Sequence, residues 1–168
     1  PTQDEVRSLM KTHGIDPLAA EELLLPTTRT KVDAYSDFIY LTLHFPAWKR
    51  ESKDISQEVD FIVGKSYIIT ARYDVIEPLE KFAKMFEVNS VLDKNSLIGE
   101  HAGYMFYYMM REIYRSLHDE LSAIRDSFEE IEKRVFTGHE KETVYDISNV
   151  SRQLLAFSRR QVLQAVVL

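Results

Sequence analysis

Apolar residues along the first half of the chain change period several times, and each change predicts a new element. Val6, Leu9 and Met10 fall at helical spacing, and Gly14 is a plausible helix stop. Asp16-Pro17 follows as an N-cap with proline at the first helical position, opening a short helix to about Leu25 that Pro26-Thr27-Thr28 breaks. From Lys31 to Trp48 the pattern becomes strand-like, with Phe38, Ile39, Tyr40, Leu41, Leu43 and Phe45 rich in β-formers. Val59, Phe61, Ile62 and Val63 predict another strand and Tyr67 to Thr70 the next, joined by a tight hairpin at Gly64-Lys65-Ser66. Asp74 to Glu87 returns to helix, with Leu79, Phe82, Ala83 and Phe86 on one face.

The second half has one dominant period. Tyr107, Met110, Tyr114, Leu117, Leu121, Ile124, Phe128, Ile131 and Val135 alternate steps of three and four, a heptad seam. Ser96 is a candidate cap for its start, and Gly138 ends it. A second helix runs from about Glu140 to the last residue, with Ile147, Val150, Leu154 and Phe157 keeping the rhythm. The short break at Gly138-His139 predicts an antiparallel αα-hairpin. Residues 119–142 are net acidic and residues 143–168 net basic. Pairs such as Arg115–Asp119 and Arg125–Glu129 fit ordinary i,i+4 ion pairs on a solvated face.

Composition narrows the chemistry. The chain has 168 residues, 45% hydrophobic and 29% charged, with a net charge of −6, a globular profile without the basic surface that phosphate-backbone binding needs; no nucleic-acid partner is expected. Cysteine is absent, which removes disulfides, thiolate metal sites and thiol nucleophiles. The longest apolar run, Tyr104 to Met110, is far short of the ~20 residues of a membrane-spanning helix, and no signal peptide opens the chain. A missing initial Met and an apolar finish at Ala165-Val166-Val167-Leu168 predict a piece of a longer protein.

Catalytic patterns fail one by one. Gly64-Lys65-Ser66 resembles the end of a phosphate-binding loop, but Val59 stands where that loop needs glycine and a strand follows instead of a helix. His139-Glu140 begins a zinc-protease pattern that Thr143 ends. His13, His44, His101 and His118 are scattered, without a carboxylate at ligand spacing, and no Gly-x-Ser-x-Gly elbow exists. No enzyme is expected. One pair of groups remains, Glu21-Glu22 near the end of the short helix. Adjacent helical residues point about 100° apart, so the pair suits a site completed by another element or subunit. Hard cations such as Mg²⁺ accept one or two carboxylates and keep several waters.

The order of these segments resembles the CorA-like divalent-cation transporters. Gly14-Ile15-Asp16-Pro17-Leu18-Ala19-Ala20-Glu21-Glu22-Leu23-Leu24 is similar to that family's GIHPL-x-x-ED-[IL]-L stretch, and Arg29-Thr30-Lys31-Val32-Asp33 to its RPK step into an aromatic strand. Glu58 to Thr70 resembles its hairpin ending in Ile-Thr, Glu129-Glu130-Ile131-Glu132 with Val135-Phe136 its ELE-x-x-VF turn, and Ser151 to Leu163 its LRR-x-L helix. The implied fold is α/β: a three-layer α/β/α sandwich with a mixed sheet over residues 1–95, then a long antiparallel helical hairpin over 96–168 that leads toward stalk and transmembrane helices outside this chain.

The resemblance further implies a homopentamer on the cytoplasmic face of the inner membrane, gating a pore for Mg²⁺ or for Zn²⁺, Co²⁺ or Ni²⁺. Its regulatory metal lies between subunits, which carries over to Glu21 and Glu22 here, with an acid on a neighbour's stalk helix. Bound metal holds the pore shut and its loss loosens the subunits. The sequence departs from the family at Asp16 and Thr30, and at Arg111 and Arg115, where the family often has Asp. A fixed positive charge there either repels a cation or replaces it as the counter-ion of a carboxylate. Two other readings stay open: a soluble adaptor that docks or self-associates through the heptad hairpin, and the domain of a ZntB-like zinc transporter.

Overall fold

The structure, a computed structural model, describes residues 1–46, 56–92, 101–137 and 140–165. Helix α1 (Gln3–His13) begins in a capping box, in which Thr2 and Glu5 each bond the other's backbone N–H. It ends at Gly14, whose φ of 64° is left-handed and whose N–H donates to the Met10 carbonyl. Asp16 accepts from the Leu18 N–H at 2.9 Å and starts α2 (Pro17–Glu22). This helix stops three residues before the expected Leu25.

The strand-like stretch from Lys31 folds as two strands, β1 (Lys31–Ala34) and β2 (Phe38–Pro46). The Tyr35 N–H donates to the Phe38 carbonyl across the turn, and the two rings stack at 4.5 Å. Strands β3 (Ser56–Gly64) and β4 (Ile68–Arg72) complete a sheet of order β1-β2-β3-β4 in which every neighbouring pair is antiparallel. The expected mixed sheet is thus an antiparallel meander among the described residues. Parallel pairing needs a crossover of a dozen or more residues, usually a helix, and among the described residues no helix stands between these strands. Gly64 closes the β3–β4 hairpin because a Cβ there would come within 2.5 Å of the Tyr67 ring.

Alternation divides the sheet into two faces. Leu41, Leu43, Phe45, Val59 and Phe61 pack with Ile76, Leu79 and Phe82 around α3 (Glu77–Leu92), with Met109, Met110, Ile113 and Leu117 of α4 (Ala102–Phe136), and with Phe157 of α5 (Glu140–Ala165). Phe38, Tyr40, Ile62 and Ala71 face the other way, against Val6 of α1 and Ala19, Ala20 and Leu23. The three layers are therefore helix, sheet, helix. Helix α3 starts later than the expected Asp74, because Pro78 fits only a first turn, and the Ile76 carbonyl accepts the Leu79 and Glu80 N–H groups.

The cap of α4 is His101, whose Nδ1 accepts from the Gly103 N–H at 3.0 Å; Ser96, like Trp48, Gly138 and His139, lies outside the described residues. At 35 residues α4 is about 52 Å long. Helices α4 and α5 run antiparallel: Arg134 meets Asp146 at 2.8 Å, Ile131 and Ile124 meet Val150, and Phe157 joins the cluster of Leu117. Only half of the predicted seam is covered. Met110, Leu117, Ile124 and Ile131 are buried, whereas Tyr107, Leu121 and Phe128 are 59%, 37% and 44% exposed. On α5, Val150 and Phe157 are buried while Ile147 and Leu154 are exposed.

Candidate functional site

Glu21 and Glu22 occupy the last turn of α2, on the outer side of the helix layer, where both are exposed. With Leu18, Leu25, Asp33 and Tyr35 they line an open cleft between α2 and the free edge strand β1. The two carboxylates behave differently. Glu22 is bound by the Lys31 ammonium, which also donates to Asp33 at 2.8 Å and sits 4.8 Å from the centre of the Tyr40 ring. Burial opposes the Lys31 charge, but hydrogen bonds to Asp33 and Glu22 outweigh it and hold its pKa above the ordinary lysine value. Glu21 also borders a groove between α1 and α2 that is lined by Val6, Met10 and Leu24.

The donor set suits a hard cation in kind and falls short in number. Mg²⁺ takes oxygen ligands in octahedral geometry and usually keeps waters on the remaining positions. Among the described residues no three acids or histidines converge as a metal centre. The cleft presents the Glu21 carboxylate, while that of Glu22 is engaged by Lys31. Arg111 and Arg115 lie on α4, across the sheet from α2; both are exposed, and Arg111 stacks on Tyr108 and approaches Glu112 at 3.8 Å.

Sequence reasoning misses a second set of groups on the α2-facing side of the sheet. Cross-strand register places Thr42 opposite Asp60 and His44 opposite Glu58. His44 and Glu58 are only 3% and 8% exposed. Thr42 donates to Asp60 at 2.8 Å, and the Tyr73 hydroxyl lies 3.3 Å from Asp60 and 3.1 Å from the Leu23 carbonyl. Nε2 of His44 lies 2.7 Å from the Thr27 carbonyl and 3.1 Å from Oε2 of Glu58, while the Thr27 N–H donates to that oxygen at 2.7 Å.

Burial, then the neighbouring Asp60 charge, pushes Glu58 up to about 7 against the opposing Thr27 hydrogen bond. Asp60 is also raised, mainly by burial, although bonds from Thr42, Tyr40 and Tyr73 favour its ionised form. The available signal was alternation: Tyr40, Thr42 and His44 interleave with Leu41, Leu43 and Phe45, so polar groups had to sit on a covered face.

The family model of the "CorA-like Mg2+ transporter protein" matches residues 1–165. The magnesium transporter ALR2 of Saccharomyces cerevisiae is 24% identical over 138 residues, covering 81% of this chain and 16% of that protein, so the chain spans a small part of this relative. The soluble domain of CorA from Methanocaldococcus jannaschii has the same fold, with a TM-score of 0.81 at 20% identity over 99% of this chain and 65% of that one. The ZntB cytoplasmic domain from Vibrio parahaemolyticus follows at 0.71 and 11% identity, covering 95% of this chain and 61% of that one. No helix among the described residues is long and apolar enough to cross a membrane. With a match along nearly its whole length and a three-layer fold shared with the CorA soluble domain, the chain belongs to the CorA-like Mg²⁺ transporter family.

Proposed function

We propose that this chain is the regulatory domain of a CorA-like metal-ion transporter, set on the cytoplasmic face of the membrane and joined to the pore through helices beyond its own sequence. Residues 1–95 form the α/β unit, and residues 96–168 form the hairpin that leads toward the stalk. Five copies surround the pore. A divalent cation, Mg²⁺ or one of Zn²⁺, Co²⁺ and Ni²⁺, binds between subunits on Glu21 and Glu22, with further oxygens from water and a neighbour's acid. Bound metal favours the closed arrangement, and its loss shifts the population toward looser subunits.

The observation that carries this reading is the placement of Glu21 and Glu22: exposed, adjacent, on the outer helix layer, and too few to complete a coordination shell alone. Lys31 serves as the resting counter-ion of Glu22 and Asp33. A cation therefore binds Glu22 by displacing an ammonium, which holds the affinity down and makes the site responsive to concentration. The test is Mg²⁺-dependent melting of the assembled full-length protein, with and without Glu21→Ala/Glu22→Ala. A Mg²⁺-induced rise in Tm that the double substitution removes supports the reading; no metal effect in the unsubstituted assembly sinks it.

The half-covered seam favours a second reading. Leu121, Phe128 and Leu154, with the edge of Ile124, line an apolar groove along the hairpin that suits another helix. In this reading the chain is an adaptor or oligomerisation module. Light scattering after size exclusion separates the two, because a tight dimer indifferent to metal and broken by Phe128→Glu belongs to the adaptor.

A further inference from the structure

The connection from α2 to β1 is held to the sheet by buried side chains. Both polar groups of the Thr27 peptide unit are engaged: its N–H donates to Oε2 of Glu58, and its carbonyl faces Nε2 of His44. Carbonyl oxygens only accept, and Nε2 faces two oxygens, so Nε2 carries a hydrogen. On the other side of the ring, Nδ1 lies 3.2 Å from the Thr30 hydroxyl. Four residues upstream of Thr27, the segment is tied again through Tyr73, which spans the Leu23 carbonyl and Asp60. Oε1 of Glu58 is buried with no hydrogen-bond partner among the described residues. A carboxylate with one solvated oxygen tolerates its charge; one with a dry, unpartnered oxygen does so poorly.

We propose that His44 and Glu58 form a proton-operated latch that fastens residues 23–30 to the sheet when one proton is held on the pair and loosens them when it leaves. The surrounding charges give the direction. Asp60 lies next along the same face of β3 and repels a Glu58 anion; Tyr40 of β2 and Tyr73, after β4, are neutral donors; Lys31 of β1 is engaged by Glu22 of α2 and Asp33. Proton loss therefore leaves a buried negative charge beside a second acid, relieved most readily when the strap lifts and water reaches Oε1. The raised Glu58 pKa agrees with this direction. The strap begins at the end of α2, so the latch also sets how firmly Glu21 and Glu22 are held. That consequence rests on the proposed function; the latch itself does not.

Linkage fixes the size and window of the effect. With Glu58 at about 7 when latched and near its ordinary 4.5 when open, strap opening becomes about tenfold more favourable per pH unit between those values and levels off above the upper one. The test is amide hydrogen exchange on the whole chain, read at Thr27 and corrected for intrinsic exchange, from pH 5 to 8. Thr27 protection should fall about tenfold per unit and flatten near neutrality, while Glu58→Gln, a fixed stand-in for the protonated acid, should stay protected throughout. Protection independent of pH in the unsubstituted chain overturns the latch, as does Glu58→Gln with an unaltered pH profile. Should that variant not fold, the Glu58 carboxyl carbon resonance in the unsubstituted chain decides: a midpoint near 7 supports the latch, and one below 5 overturns it.

Discussion

The two faces of the sheet are made by alternate residues of β2 and β3, and they differ in kind. Toward the long helices, Leu41, Leu43, Phe45, Val59 and Phe61 make a buried apolar surface, with Gln57 the buried polar residue at its margin. Toward α1 and α2, Tyr40 and Ile62 share the surface with Thr42, His44, Glu58 and Asp60, all buried as well. Apolar burial needs only shape and volume, and each fully buried side chain contributes about 1.5–3 kcal/mol. Buried polar groups need partners in register, and they are costly when one is left over. The first face is thus built for stability. The second carries two acids, Glu58 and Asp60, whose pKa values burial raises, beside the helix that carries the candidate cation site.

The greatest loss of stability is expected on the apolar face. Phe61→Ala should cost about 3–5 kcal/mol, because Phe61 is fully buried and meets Phe106 edge-on at 5.3 Å. Urea unfolding measures it, and the loss should be nearly the same at pH 5 and pH 8. Glu58→Gln probes the polar face. A carboxyl whose folded pKa is raised contributes stability that is fully present below about 4.5 and lost as pH rises through about 7. The unsubstituted chain should therefore lose about 2 kcal/mol between pH 5 and 7.5, and Glu58→Gln should lose markedly less. Any remaining slope in that variant belongs to Asp60, which is raised in the same direction.

Smaller effects are expected where charges meet solvent. Lys31→Ala removes a partly exposed ion pair to Glu22 and another to Asp33, which costs about 1 kcal/mol or less. It should also increase the Mg²⁺-induced rise in Tm of the assembled protein, because the tethered competitor is gone. The smallest change is expected on the hairpin. Leu121→Gln, on the exposed line of the seam, should shift the stability of the chain by no more than about 0.5 kcal/mol. Ile124→Ala, on the covered line, should cost about 2 kcal/mol or more.

Much of this architecture was legible in residue order. Gly14, Asp16-Pro17 and the Gly64 turn fall where caps and turns require them. The long hairpin followed from its steps of three and four. The failures have particular causes. The stretch from Lys31 to Trp48 read as uninterrupted β-forming sequence, yet the turn after Ala34 divides it into two strands. The seam was visible as one stripe, but its covered line packs on the sheet and α3 at Met110 and Leu117 and on α5 at Ile124 and Ile131, which leaves Tyr107, Leu121 and Phe128 exposed. Histidine is outside the usual N-cap set, which hid His101.

The candidate site was legible only in part. Glu21 and Glu22 stood out as a pair, whereas Lys31 as the counter-ion of Glu22 depends on β1 returning alongside α2. His44 and Glu58 are separated by residues outside the described set, and only the β2–β3 register makes them partners. No local spacing encodes such a pair. Pairing register, set by which face of each strand is apolar, decides it.

The most direct test of the central claim is hydrogen exchange over residues 17–25 in the full-length protein, at fixed pH, with and without Mg²⁺. Mg²⁺ should slow exchange in this segment, and Glu21→Ala/Glu22→Ala should abolish the slowing. Exchange there that is indifferent to Mg²⁺ in the assembled, unsubstituted protein would contradict that claim.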